Sequence, residues 1–272
     1  MSAVNPGERR TMVVQAVLLG LLYVFLYLPI AYIAYLSLTR NSVWPFPPDF
    51  TLDWYARLQI MSDFQLGLWN SVLIGLGCAV LAAVLATAAG IGVLRYPVRH
   101  RALVVALYLS PLFVAEILIG ISTLMFNRNV LHIPGNLLSA IIANTTFSLS
   151  FAFLVIIAQL SRYDWRLDDV AQVFGARPLR CFFEVTLPII WPAILGAFLV
   201  SFIMGFNNFE ITFYNIGAIP TLPTITWGTL RHGIEPELYA IATLVNGFVF
   251  LLLFIIYLLI RSGRLRIGIP EN

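Results

Sequence analysis

The sequence predicts an all-α polytopic membrane protein with six transmembrane helices, and three observations carry that expectation. Charged residues make up 11% of the 272-residue chain against 60% hydrophobic, with a mean hydropathy of +0.89, whereas a soluble domain carries about 25% charge. The few charges fall between long uncharged runs, as expected when lipid is the main solvent. The arginines that separate those runs are also shared out unevenly between alternate connections.

Taken in order, residues 11–39 form the first run. It exceeds the roughly 20 residues needed to cross a bilayer and is much longer than the ~7–15-residue core of a secretory signal, so it reads as an uncleaved first helix. Runs at 65–94, 102–126 (with Glu116 inside), 136–160, 185–209 and 238–260 complete the set, and the whole of 1–272 reads as one transmembrane domain. Several runs are longer than one span, so their ends project or tilt. Six spans place both termini and the second and fourth connections on one side. That side holds twelve of the sixteen arginines, leaving Arg40, Arg57, Arg128 and Arg231 on the other. The bias predicts cytoplasmic termini.

Composition also excludes function classes. The pI is about 9.0 and every basic residue is Arg, but the arginines lie in short connections with no basic face or tail, which argues against nucleic acid as a partner. Cys78 and Cys181 imply neither a disulfide framework nor a cysteine metal site. His100, His132 and His232 are scattered. No paired catalytic carboxylates, His cluster or Ser/His arrangement lies within the spans, so an intramembrane enzyme is not indicated. Two connections on the outer side are unusual. Residues 40–63 carry Trp44, Pro45, Pro47, Pro48, Trp54 and Tyr55, which suits interfacial anchoring. Residues 207–237 hold Pro220, Pro223, Trp227 and Pro236, too irregular for one helix.

The polar connection at 161–184 predicts more than a loop. Leu167, Val170, Ala171 and Phe174 recur at i, i+3, i+4 and i+7, one apolar face of a short helix. Asp168 and Asp169 suit its N-terminus, Gly175 its stop, and Pro178 the start of a second short helix. Two readings fit: a helix lying on the membrane surface, or a knob offering its apolar face to a cytoplasmic partner. The residues alone do not choose between them.

A longer pattern does. Asp169-Val170-Ala171, three residues, Gly175, nine residues, then Val185-Thr186-Leu187-Pro188 resembles the EAA signature of the permeases of binding-protein-dependent ABC importers, with Asp for Glu, Val for the first Ala and Val for Ile. Pro111-Leu112, Glu116-Ile117, Gly120-Ile121, Phe50 to Tyr55, Ser201 to Thr212 and Gly233 to Glu237 are similar to the spermidine/putrescine branch of that family. The resemblance implies a six-span type I importer fold in a bacterial inner membrane. It implies that residues 167–180 form the coupling helix, with Leu167, Asp169, Val170, Ala171, Phe174, Gly175, Leu187 and Pro188 coupling to an ATPase. The implied partners are a cytoplasmic ATPase dimer, a second permease (a paralogue in the polyamine branch) and a periplasmic binding protein. ATP and Mg would be bound by the ATPase, and no cofactor by this chain. A chain without lysine cannot form a Walker-type phosphate loop, which fits that division of labour.

For the solute path, Glu116 is the one carboxylate well inside an apolar run, where charge costs roughly 2.5–3.5 kcal/mol on insertion scales. It reads either as a contact for a cationic solute or as a partner in a helix-to-helix hydrogen bond. By resemblance, Asn207, Asn208 and Glu210 flank the path at the end of the fifth span. Polyamine permeases tend to carry paired acidic residues there. The two asparagines weaken the expectation of a multiply charged polyamine, and a monovalent amine, a betaine-like compound or a zwitterion fits no worse. The competing class is an ATP-independent secondary transporter using Glu116 for protons or cations.

Overall fold

A computed structural model describes residues 6–40, 49–232 and 236–261. Trp44, Pro45, Pro47, Pro48 and the Gly233-Ile234-Glu235 stretch lie outside the described residues. So do Arg264 and Arg266, and the side chains of Arg9, Arg10 and His232.

The chain divides into two compact units, 1–61 with 228–252 and 62–227 with 253–272. In the first, α1 (Pro6–Leu36) stops where Ser37 Oγ bonds back to Ala34 O at 2.7 Å. The chain then returns through an isolated antiparallel bridge, Thr39 to Phe50, into α2 (Asp53–Ile60). Polar groups of α2 tie it to the residues after α1 and to Glu237. Trp54 Nε1 donates to Thr39 O at 3.0 Å. Arg57 lies 5.0 Å over the Trp54 ring and 3.2 Å from Glu237 Oε1.

The second unit is built on α3 (Ser62–Arg95), α6 (Leu137–Leu160) and the helix that ends as α9 (Leu187–Asn207). Lipid gives apolar helices no hydrophobic reason to associate, so small residues that let backbones approach carry the packing. Ala82, Ala86, Ala152 and Ala197 are fully buried among Phe153, Ile156, Leu160 and Ile190. Tyr108 of α4 (Arg101–Leu109) stacks on Phe153 with centroids 4.6 Å apart. Where α9 crosses α3, a Cβ on Gly205 would fall 2.9 Å from Cys78 Cβ and 3.3 Å from the Gly75 backbone. The remaining helices are α5 (Glu116–Asn129), α7 (Arg166–Val173), α8 (Pro178–Cys181), α10 (Glu210–Asn215), α11 (Leu222–His232) and α12 (Pro236–Arg261).

Five described helices are long and apolar enough to cross a membrane, six when the bent pair α4–α5 counts as one span. The expected runs at 65–94, 136–160 and 238–260 match helices to within three residues at each end. Three expectations need correction. The first span ends at Leu36, not 39, because Ser37 and Thr39 bond to the last carbonyls of α1. The third run, 102–126, is not one helix but turns by 107° between Phe113 and Glu116. The fifth does not begin at 185. A continuous helix runs from Pro178 to Asn207, and a π turn at Phe182–Thr186 carries it past Pro188, with the Leu187 N–H bonded to Phe182 O. Proline has no N–H and crowds the carbonyl four residues back, and a widened turn just before it relieves the crowding.

Gly205→Ala is expected to destabilise the folded chain by about 1–3 kcal/mol through overpacking. Gly92→Ala, where a Cβ meets nothing within 4 Å, is expected to be neutral or to stabilise by about 0.5–1 kcal/mol. Unfolding of the two variants in detergent, measured side by side, checks both.

Candidate functional site

Two helix breaks create the first candidate region. After α4, a tight turn at Ser110–Phe113 containing Pro111 leads to extended backbone at Val114 and Ala115 (ψ 135° at both), and α5 restarts at Glu116. At the second break α9 ends on Asn207, Asn208 is extended (ψ 118°), and α10 restarts at Glu210. Opened backbone at membrane depth has no water to bond and must find protein partners. Asn208 serves both breaks: its Oδ1 accepts from the Ile211 N–H at 2.8 Å, and its Nδ2 donates to Glu116 Oε2. Behind it, Asn215 Nδ2 lies 3.0 Å from Gly120 O and 3.1 Å from Thr123 Oγ1. Asn144 Nδ2 donates to Thr212 Oγ1 at 3.0 Å, and Asn127 Nδ2 to Ser139 Oγ at 2.9 Å. Short amides thus bind α5, α6 and α10 into one block.

The breaks open onto a cavity of about 750 Å³. Leu112, Val114, Ala115, Phe147, Ile203, Met204 and Phe209 supply its apolar wall, and Glu116, Asn207, Asn208 and Glu210 its polar groups. The four path residues expected from the sequence therefore share one cavity. Among the described residues its lining holds two carboxylates and no basic side chain, a balance that favours cations. Glu116 is half-buried and braced by Asn208, which is buried. Asn207 and Glu210 are exposed.

The second region is α7. Its C-terminus closes as a Schellman motif: Ala176 N–H bonds to Ala171 O and Gly175 N–H to Gln172 O, with Gly175 at φ +88°. That left-handed geometry is the reason for glycine there. The apolar face expected from the periodicity exists but is turned outward. Leu167 and Val170 are exposed, Val173 is 86% exposed and Phe174 87%. Asp169 is exposed and Ala171 partly buried. Leu187 and Pro188 are not part of this face. They sit beyond the π turn in α9, where Leu187 lines an apolar groove with Ala83, Thr87 and Trp191.

Comparison with known proteins places this geometry. No family model matches the chain. The putrescine transport system permease protein PotI of Escherichia coli (strain K12) is 29% identical over 260 residues, covering 92% of each chain. The spermidine/putrescine transport system permease protein PotC of Haemophilus influenzae is 25% identical over 224 residues, covering 82% of this chain and 87% of that one. A crystal structure of a bacterial ABC transporter involved in import of the acidic polysaccharide alginate superposes with a TM-score of 0.67 at 17% identity, covering 96% and 99% of the two chains. A bacterial alginate ABC transporter in complex with an alginate pentasaccharide-bound periplasmic protein gives 0.61 at 18% identity, covering 97% and 98%. The chain is a homologue of PotI and PotC with the ABC importer permease fold.

Within that permease fold, one group was missed by sequence reasoning. Asp168 looks like its neighbour Asp169 in the sequence, yet it is fully buried. Its carboxylate accepts from Tyr163 Oη at 2.7 Å and from Thr186 Oγ1 at 2.9 Å, and it pairs with the Arg95 guanidinium. Burial, reinforced by the Asp168 carboxylate, pushes the Tyr163 hydroxyl up to about 12, so it remains a donor at any physiological pH. No local signal separates the two aspartates, because both lie off the apolar stripe, about 100° and 200° round the helix from Leu167.

Asn208→Ala removes the bond to the Ile211 N–H and the brace on Glu116. It is expected to cost about 1–3 kcal/mol, while Asn207→Ala, at an exposed position, stays within about 0.5 kcal/mol. Unfolding free energies of the two variants in mixed detergent micelles check the difference.

Proposed function

We propose that this chain is the permease subunit of an ABC importer that passes a small amine-bearing solute, putrescine first among candidates. In this reading a periplasmic binding protein delivers the solute, a second permease, paralogous to this one, completes the pathway, and a cytoplasmic ATPase dimer binds ATP and Mg. Both termini face that ATPase in the bacterial inner membrane. The observation that carries the solute class is the cavity lined by Glu116, Asn207, Asn208 and Glu210, with two carboxylates and no basic group among the described residues. The names of PotI and PotC support the same class. Glu116 and Glu210 supply two carboxylates, and asparagines at 207 and 208 add no more, which suits a diamine over a polyamine of higher charge.

For the motor contact the support is α7: a short helix that exposes Val170, Val173 and Phe174 while burying an aspartate. An exposed apolar face of this kind is completed by a partner's groove. Leu167, Asp169, Val170, Ala171, Phe174 and Gly175 form the docking element, and Leu187-Pro188 lies where its motion enters the fifth span. ATP binding would close the ATPase dimer, move α7, and rock the permease pair between inward-facing and outward-facing states.

Gly175→Asp forces a charged L-residue into a left-handed position, at about 1–2 kcal/mol of backbone cost, beside the docking face. It is expected to abolish co-purification of the ATPase while membrane insertion stays normal; retained co-purification together with ATP-driven uptake contradicts the assignment. Glu116→Gln is expected to reduce uptake of a cationic amine more than of a neutral analogue in competition assays. Equal uptake of both solutes by variant and parent would remove Glu116 from the path.

A further inference from the structure

A surface helix that turns its apolar side chains outward gains little of its hold on the protein from hydrophobic burial. The described contacts of α7 with the rest of the chain concentrate on Asp168. Oδ1 receives Tyr163 Oη, from just after α6, and Thr186 Oγ1, from the π turn that leads into α9. Oδ2 receives Arg95, the last residue of α3. The Asp168 carbonyl oxygen adds Cys181 Sγ at 3.7 Å. Around the ion pair, the Trp165 ring stands 4.9 Å from Tyr163 and 5.7 Å from the Arg95 guanidinium. One carboxylate therefore collects the ends of the three helices that form the packed core of this unit.

We infer that Asp168 is a positioning residue for transport: it locks α7 to the ends of α3, α6 and α9, so that a push on α7 moves those helices as one body. The inference rests on the reading of α7 as the ATPase-docking helix and deepens it. Docking and transmission are divided between opposite faces of the same eight-residue helix. Val170, Val173 and Phe174 meet the motor, and Asp168 passes its displacement inward. The π turn belongs to the device, because Thr186 sits at its end and is fully buried against the carboxylate. A charged pair suits this role better than apolar packing. Removing one partner leaves the other buried and unpaired, so the ends of α3 and α7 do not separate readily during a stroke.

The test uses the complete transporter in proteoliposomes, with labelled putrescine as the probe, and reads putrescine accumulated per ATP hydrolysed. Asp168→Asn keeps an oxygen for Tyr163 and Thr186 but removes the charge that holds Arg95. Thr186→Val, nearly isosteric, removes only the link to α9. Both variants should retain the ATPase on purification and continue to hydrolyse ATP, while accumulation per ATP falls roughly tenfold, within the range of a coupling free energy between two sites. A merely structural role would reduce uptake and hydrolysis together, in proportion to folded complex, and would leave the ratio unchanged; that result overturns the proposal. Should Asp168→Asn fail to fold, Thr186→Val alone decides it. Loss of ATPase binding is read separately through Gly175→Asp: if that variant still binds the ATPase, the docking assignment fails, whatever the ratio shows for Asp168.

Discussion

The membrane-spanning part of this protein depends on one constraint: a helix that breaks inside lipid must have its exposed backbone groups bonded by the protein itself. The chain breaks twice, at Val114-Ala115 and at Asn208. Asparagine holds both restarted helices: Asn208 accepts from the Ile211 N–H at one and donates to the Glu116 side chain at the other, while the Val114 N–H and Ala115 carbonyl bond within the chain. Asn208 bridges the two breaks, and Asn215, Asn144 and Asn127 secure the helices that follow. The cavity lies at these breaks and is lined by residues from both. Glu116 and Glu210 begin the two restarted helices, where an acidic side chain suits the helix dipole, and both line that space.

The same use of polar groups recurs at α7, outside the spans. There a buried carboxylate does what a hydrophobic face does for most surface helices, and it leaves the apolar residues free for a partner. Breaking such a pair costs about 3–5 kcal/mol, whereas an exposed pair such as Arg180–Glu184 is worth little. The cavity and the surroundings of α7 are joined through α9, which carries Thr186 just before its start and Asn207 at its end.

Much of this was legible in the sequence because it follows from periodicity and composition. Long uncharged runs gave the spans, the i, i+3, i+4, i+7 spacing gave α7, and Gly175 proved to occupy the left-handed position that stops it. The path residues chosen from polarity and resemblance converge on one cavity. The break in the third span was not legible, because Val114 and Ala115 continue the apolar run and a helix and a turn look alike in hydropathy. Pro111 was its one local marker. Pro178 was legible as a helix start, but not the continuity of that helix with the fifth span, which runs through a π turn before Pro188. Asp168 and Asp169 are chemically identical neighbours, and only the positions of Arg95, Tyr163 and Thr186 decide which of them is buried. Such choices are tertiary, made by residues far apart in the chain.

In the proposed cycle the energy source is ATP, bound by a separate subunit. Accumulation of labelled putrescine in proteoliposomes holding this chain, its companion permease, the ATPase and the binding protein tests that claim most directly, with no ion gradient imposed. The account predicts accumulation that requires ATP and ceases when the ATPase is left out. Accumulation driven by a proton gradient in the absence of the ATPase would contradict it.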